Sequence, residues 1–210
     1  MYPSPSIQER YADGIVHIFG LVVVFVSCMF LIFYSAVQFD VPLIVACALY
    51  VICMIASFAA SASYHLLPQH HWRSSLRRMD HAAIYAFIAG TFTPLLVFVG
   101  TTLAYFVLGA VWILAIPAML YKVLGEQIEP SWSLASYIGL GWLGTITLPD
   151  ISSILPLSAV IAIFTGGFFY SFGTIFYRRK KQSFRYSIWH VFVLLGTGAF
   201  FVAIWISLFQ

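Results

Sequence analysis

The chain has 210 residues, of which 62% are hydrophobic, 18% aromatic and only 8% charged. A soluble domain carries about 25% charged residues, so this chain cannot cover a water-facing surface, and a soluble globular protein is excluded. Its net charge of +3 is no nucleic-acid footprint, because the basic residues stand beside apolar segments rather than in one exposed patch.

Seven apolar runs follow in order: 14–36, 41–64, 80–101, 103–122, 132–148, 154–177 and 188–209. A hydrocarbon core ~30 Å thick needs about 20 helical residues to cross it. The runs are continuously apolar rather than alternating, which selects helices over a barrel. The first begins near Gly14, after the polar tail Met1 to Asp13. It exceeds a signal-peptide core of about 7–15 residues and is followed by no small-x-small cleavage site, so it reads as a retained helix. Asp40-Val41-Pro42 separates the first two runs. Pro68 and the stretch His70 to Arg78 separate the second and third, and Gly100-Thr101-Thr102 makes a tight turn before the fourth. Gly125 to Pro130 closes the fourth, Pro149-Asp150 to Pro156 the fifth, and Arg178-Arg179-Lys180-Lys181 the sixth. The expected architecture is an all-α polytopic membrane protein, with residues 1–210 forming a single seven-transmembrane-helix domain.

Every Lys and Arg falls on alternate connections of this threading. They are Arg10, then Arg73, Arg77 and Arg78, then Lys122, then Arg178, Arg179, Lys180, Lys181 and Arg185. The opposite connections carry only Asp40 and Asp150. Basic connections stay inside, so the N-terminus is expected in the cytoplasm and the C-terminus outside. Cys28, Cys47 and Cys53 lie inside apolar runs without a Cys-x-x-Cys pair and read as small buried hydrophobes. Gly139, Gly141 and Gly144 suggest close helix contacts in the fifth run, and the small residues of 56–62 suggest the same in the second.

The polar residues inside these runs gather at the basic side. Asp13 and His17 are four apart at the start of the first run, Ser61 and His65 near the end of the second, and Tyr186 and His190 at the start of the seventh. That spacing puts each pair on one helix face. Asp80 opens the third run, where its simplest role is a charge favouring the helix dipole. Four helices thus bring oxygen and nitrogen ligands to one level, where ionisable groups are costly. Neutral imidazoles and a carboxylate suit zinc or another borderline divalent metal. In that reading Asp80 is the catalytic carboxylate that ligates the metal or holds water. Ser61 is the catalytic hydroxyl that bonds a ligand or a developing oxyanion. Without metal, the same groups form a proton relay or a sensor.

Three stretches carry a family resemblance. Ser61-Ala62-Ser63-Tyr64-His65, then Met79-Asp80-His81-Ala82-Ala83-Ile84-Tyr85 with Ala89-Gly90-Thr91-Phe92-Thr93-Pro94, and Ile188-Trp189-His190-Val191-Phe192-Val193-Leu194 resemble bacterial hemolysin III proteins. Those proteins belong with the progestin and adipoQ receptors. Glu9, Asp13 and His17 resemble the family's opening motif, in which an Asn usually precedes the His by four. The resemblance extends over essentially the whole chain. It implies seven helices, a cytoplasmic N-terminus and a zinc site whose ligands match His65, His190 and a third His four residues earlier. Here that third position is Tyr186, a further family His is Phe200, and the opening Asn is Asp13. The site is then either rebuilt from His65, His190 and Asp80, with His17 as replacement ligand, or free of metal. The wider superfamily includes alkaline ceramidases, so the resemblance implies a hydrolase of lipid amides or related bonds. The expected cofactor is zinc. The expected partners are membrane lipids and a lipid substrate, with no nucleic acid, and the expected location is the bacterial inner membrane. A non-enzymatic sensor or regulator is the alternative. A pore-forming cytolysin ranks last, because the far halves of the helices offer almost no ionisable groups for a polar path.

Overall fold

A computed structural model describes residues 3–67, 71–127, 130 and 132–210; Pro68 and His70 of the second connection lie outside them. The chain forms α1 (Ile7–Gln38), α2 (Val41–Leu66), α3 (Arg73–Val99), α4 (Thr102–Leu124), α5 (Ser133–Trp142), α6 (Leu148–Ile154), α7 (Leu157–Arg178) and α8 (Arg185–Phe209). Six of these, α1 to α4, α7 and α8, are long and apolar enough to cross a membrane. The protein is a polytopic helical membrane protein. Large apolar side chains such as Phe19, Phe25, Phe106, Ile113 and Leu157 are exposed around the bundle. Leaving each in water would forgo about 1.5–3 kcal/mol of burial, so this belt faces lipid.

The helices overrun the expected spans at their basic ends. Ser6 caps α1 through a reciprocal pair with Glu9, the capping-box arrangement that satisfies two orphan donors. This starts α1 seven residues before the apolar run. At 1.5 Å per residue its 32 residues reach about 48 Å, well beyond the hydrocarbon core. Similarly, α3 begins at Arg73 rather than near residue 80. Arg10, Arg73, Arg77, Arg78, Arg178 and Arg185 therefore sit on helix ends rather than in loops. Lys122, expected as a simple orientation charge, is fully buried and donates to the Ser133 hydroxyl.

The fifth expected span is not one helix. α5 stops at Trp142, a 3-10 turn covers Leu143–Thr147, and α6 continues to Ile154. Gly144 lies inside this break, where a Cβ would run into the Phe92 ring on α3. The Thr145 and Thr147 hydroxyls donate three residues back, to the carbonyls of Trp142 and Gly144, and such local bonds compete with a regular α ladder. Pro149 falls in the first turn of α6, where its missing N–H costs nothing; it begins a helix rather than a loop. Of the three glycines expected to pack closely, only Gly144 does so, since a Cβ at Gly139 or Gly141 meets nothing within 4 Å. The close approach of α2 to α3 comes instead from Cys53 against Gly90. All three cysteines are buried.

α3 is the core helix, with 72% of its apolar window buried. It packs on α2 and α4, and more lightly on α5, α6 and α8. α1 lies between α2 and α8, and α7 pairs with α8. This ring sets the N-terminal part of α1, the C-terminal part of α2 and the N-terminal part of α8 side by side. The same end is tied by charge-assisted bonds. Arg78 Nη1 donates to the carbonyls of Lys122 (3.2 Å) and Gly125 (2.6 Å), satisfying the terminal acceptors of α4. Glu9 Oε1 accepts the Phe184 N–H at 2.8 Å, joining the start of α1 to the α7–α8 loop.

Candidate metal centre

Asp13, His17, His65 and His190 meet inside the basic end of the bundle. One ligand atom from each lies within 4.8 Å of the others. The three imidazoles form a compact triangle, with ring centroids 4.9 Å apart for His17–His65, 4.2 Å for His17–His190 and 4.6 Å for His65–His190. Helical periodicity accounts for two of them, since His17 stands one turn from Asp13 and His65 one turn from Ser61. The packing of α1 between α2 and α8 brings in the third.

Asp13 organises the group. Its side chain is 2% exposed, and a buried carboxylate needs partners to offset lost hydration. Oδ2 accepts from His65 Nδ1 at 2.7 Å and from the Ser4 hydroxyl at 3.2 Å. Oδ1 accepts from His190 Nδ1 at 3.0 Å and lies 3.4 Å from His17 Nδ1. The Asp13 backbone carbonyl, which can only accept, takes the His17 Nδ1–H at 2.8 Å. Every Nδ1 is therefore a donor, and in the neutral imidazoles every Nε2 carries a lone pair. Ser61 Oγ lies 3.2 Å from His17 Nε2 and 3.5 Å from His190 Nε2. Among the described residues, His65 Nε2 has no protein hydrogen-bond partner.

The donor set fits zinc on its chemistry. Bonds of about 2.0–2.1 Å put tetrahedral ligands about 3.3 Å apart, so the 2.7 Å His65–Asp13 contact is a hydrogen bond rather than a pair of ligands on one ion. With each Nδ1 turned to Asp13, the Nε2 atoms are the ring nitrogens left to offer an ion. Asp13 stands behind them as the carboxylate that fixes each tautomer, the usual outer partner of a metal-bound His.

The sequence-derived residues divide accordingly. His17, Ser61, His65 and His190 come together. Asp80, expected as the carboxylate ligand, is not in the group; the carboxylate in the group is Asp13, a hydrogen-bond partner of the imidazoles. Because α3 starts at Arg73, Asp80 lies two turns into the helix and lines the wall of an adjoining cavity with Arg77, His81 and Ile84. Tyr186 stacks edge-on against His65, with ring centroids 5.2 Å apart, and its hydroxyl accepts from Arg185. Sequence reasoning paired Asp13 with His17 but left it out of the site; the spacing was the signal. The cavity measures about 220 Å³, reaches the histidines, and runs inward past apolar residues such as Phe87, Leu95, Ile163 and Leu194.

A family model described as haemolysin-III related matches residues 6–201. The chain is 32% identical over 200 residues to a hemolysin-3 homolog of Bacillus subtilis (strain 168), covering 95% of this chain and 94% of that protein. It is 29% identical over 199 residues to hemolysin-3 of Bacillus cereus, covering 94% and 91%.

Proposed function

The chain belongs to the haemolysin III-related family, and from that premise we propose that it is a zinc-dependent membrane hydrolase of lipid amide or related bonds. The observation that carries this reading is the arrangement of three imidazoles, each with Nδ1 bonded to Asp13 and Nε2 on the other side of the ring, where the Ser61 hydroxyl stands beside those of His17 and His190. His17, His65 and His190 are the metal ligands, with His17 taking the place of the third family His that Tyr186 lacks. Bound there, zinc supplies Lewis acidity and a water activated near neutral pH.

The chain's own residues do the rest. Asp13 holds the imidazoles in the ligating tautomer. Ser61, whose hydroxyl already sits at the Nε2 side, donates to the carbonyl oxygen of the substrate as charge develops on it. Asp80, facing the same cavity, takes a proton from the attacking water and returns it to the leaving amine. The apolar wall holds the acyl chain and excludes bulk water. The distribution of Lys and Arg supports a basic end that faces the cytoplasm of a bacterial inner membrane, with the site near headgroup level. The test is hydrolysis of a fluorogenic long-chain amide by protein reconstituted with zinc. Activity that is lost with chelator, restored by zinc and lost in Asp80→Asn supports the assignment. Hydrolysis indifferent to chelator overturns it.

A further inference from the structure

A second cavity, of about 540 Å³, lies at the basic end between the N-terminal segment and the α7–α8 loop. Lys180, Lys181 and Arg185 stand in its wall together with Gln182 and Ser183. One carboxylate, Glu9, faces these three cations there, and its oxygens are already committed. Oε1 takes the Phe184 N–H, and Oε2 takes the Ser6 N–H and hydroxyl at 3.0 Å each. Lys180 and Lys181 are exposed and, among the described residues, form no ion pair.

Orientation in a membrane accounts for the charges alone. It does not call for a concave wall or for a fixed loop. Phe184 is the one non-glycine among the described residues with positive φ (57°), a conformation that persists only when its surroundings hold it. The bond from its N–H to Glu9 does so. The loop that displays the lysines is thus shaped in advance, between the basic ends of α7 and α8.

We infer that this cavity binds the phosphate group of an anionic lipid headgroup, with Lys180 and Lys181 as its direct partners. An ammonium is a strong donor to phosphate oxygens, and basic clusters beside membrane helices attract anionic lipids. The inference stands apart from the metal assignment and holds for a metal-free protein. The two sites adjoin, however. Tyr186 lines both cavities, and Ser4, in the wall of this one, donates to Asp13.

The experiment is a titration of the full chain in neutral detergent with fluorescent phosphatidic acid, at an ionic strength of about 0.3 M, where the Debye length is under ~8 Å and diffuse attraction is screened. Lys180→Gln/Lys181→Gln is compared with Arg178→Gln/Arg179→Gln, which removes the same charge from the same segment but from outside the cavity wall. Both are checked for wild-type elution and melting. Saturable binding weakened at least ~30-fold in the lysine pair, and less than ~3-fold in the arginine pair, is expected from the loss of two charge-assisted bonds. Excess inorganic phosphate separates the sources. Displacement of the lipid assigns recognition to the phosphate group alone, and persistence assigns it to the membrane-anchored headgroup; either result keeps the site. Equal weakening in the two pairs, or no saturable binding, overturns the inference.

Discussion

Replacing Asp13 with Asn tests how the histidines are held. The substitution keeps shape and volume but exchanges one acceptor oxygen for an NH2 group. Oδ1 serves His190 and Oδ2 serves His65, so whichever way the amide is turned, a donor meets an Nδ1–H. One imidazole must then swing away or change tautomer, which turns an N–H towards the metal face. A hydrogen bond to a charged group is worth about 1.5–3 kcal/mol, and loss of an outer carboxylate partner costs about 10–100-fold in metal affinity. The two figures agree, since 10–100-fold is about 1.4–2.7 kcal/mol. Zinc affinity in Asp13→Asn, measured by competition with a chromogenic chelator, should fall by that amount while saturating zinc still gives about one ion per chain. Tyr186→His, added to Asp13→Asn, supplies an imidazole beside His65 and should recover at least half of the lost binding energy. An affinity unchanged within about twofold in Asp13→Asn would refute the role given to Asp13.

Three other outcomes follow from the same geometry. Asp80→Asn should keep zinc stoichiometry while hydrolysis drops by about 10²-fold or more, the range of a lost general base; loss of zinc in this variant would return Asp80 to the ligand set. Gly144→Ala drives a Cβ into the Phe92 ring and should cost about 1–3 kcal/mol, read as a lower melting temperature, whereas Gly139→Ala enters open space and should not lower it. Liposomes holding a trapped dye should not leak when the purified protein is incorporated, because the cavity runs inward between apolar walls; dye release proportional to protein would favour a pore.

Much of the bundle was legible because it depends on local signals. Continuous apolar runs identified the membrane segments, and the i, i+4 spacing of Asp13–His17 and Ser61–His65 marked the faces that meet. What was not legible depends on how helices are rotated against one another. Asp13 and Asp80 both stand near helix starts at one level, and nothing local says which carboxylate points at the imidazoles. The packing of α1 between α2 and α8 decides it for Asp13, while the early start of α3 leaves Asp80 on the cavity wall. The break at Leu143–Thr147 escaped for a similar reason. Gly144 reads as a small packing residue until Phe92 is known to lie against it, and Pro149 reads as a terminator until it is seen in the first turn of α6. Lys122 shows the limit of counting charges: its position fits the basic end, yet its ammonium is buried against Ser133 and stacked near the Tyr137 ring at 5.5 Å.

The most direct measurement is elemental analysis of zinc in purified protein, for wild type beside His17→Ala, His65→Ala and His190→Ala, each confirmed to elute and melt as a folded chain. A three-histidine site predicts about one zinc per chain in the wild type and its loss in all three variants, His17→Ala included. No zinc in the folded wild type after supplementation, or full zinc in His17→Ala, would contradict it.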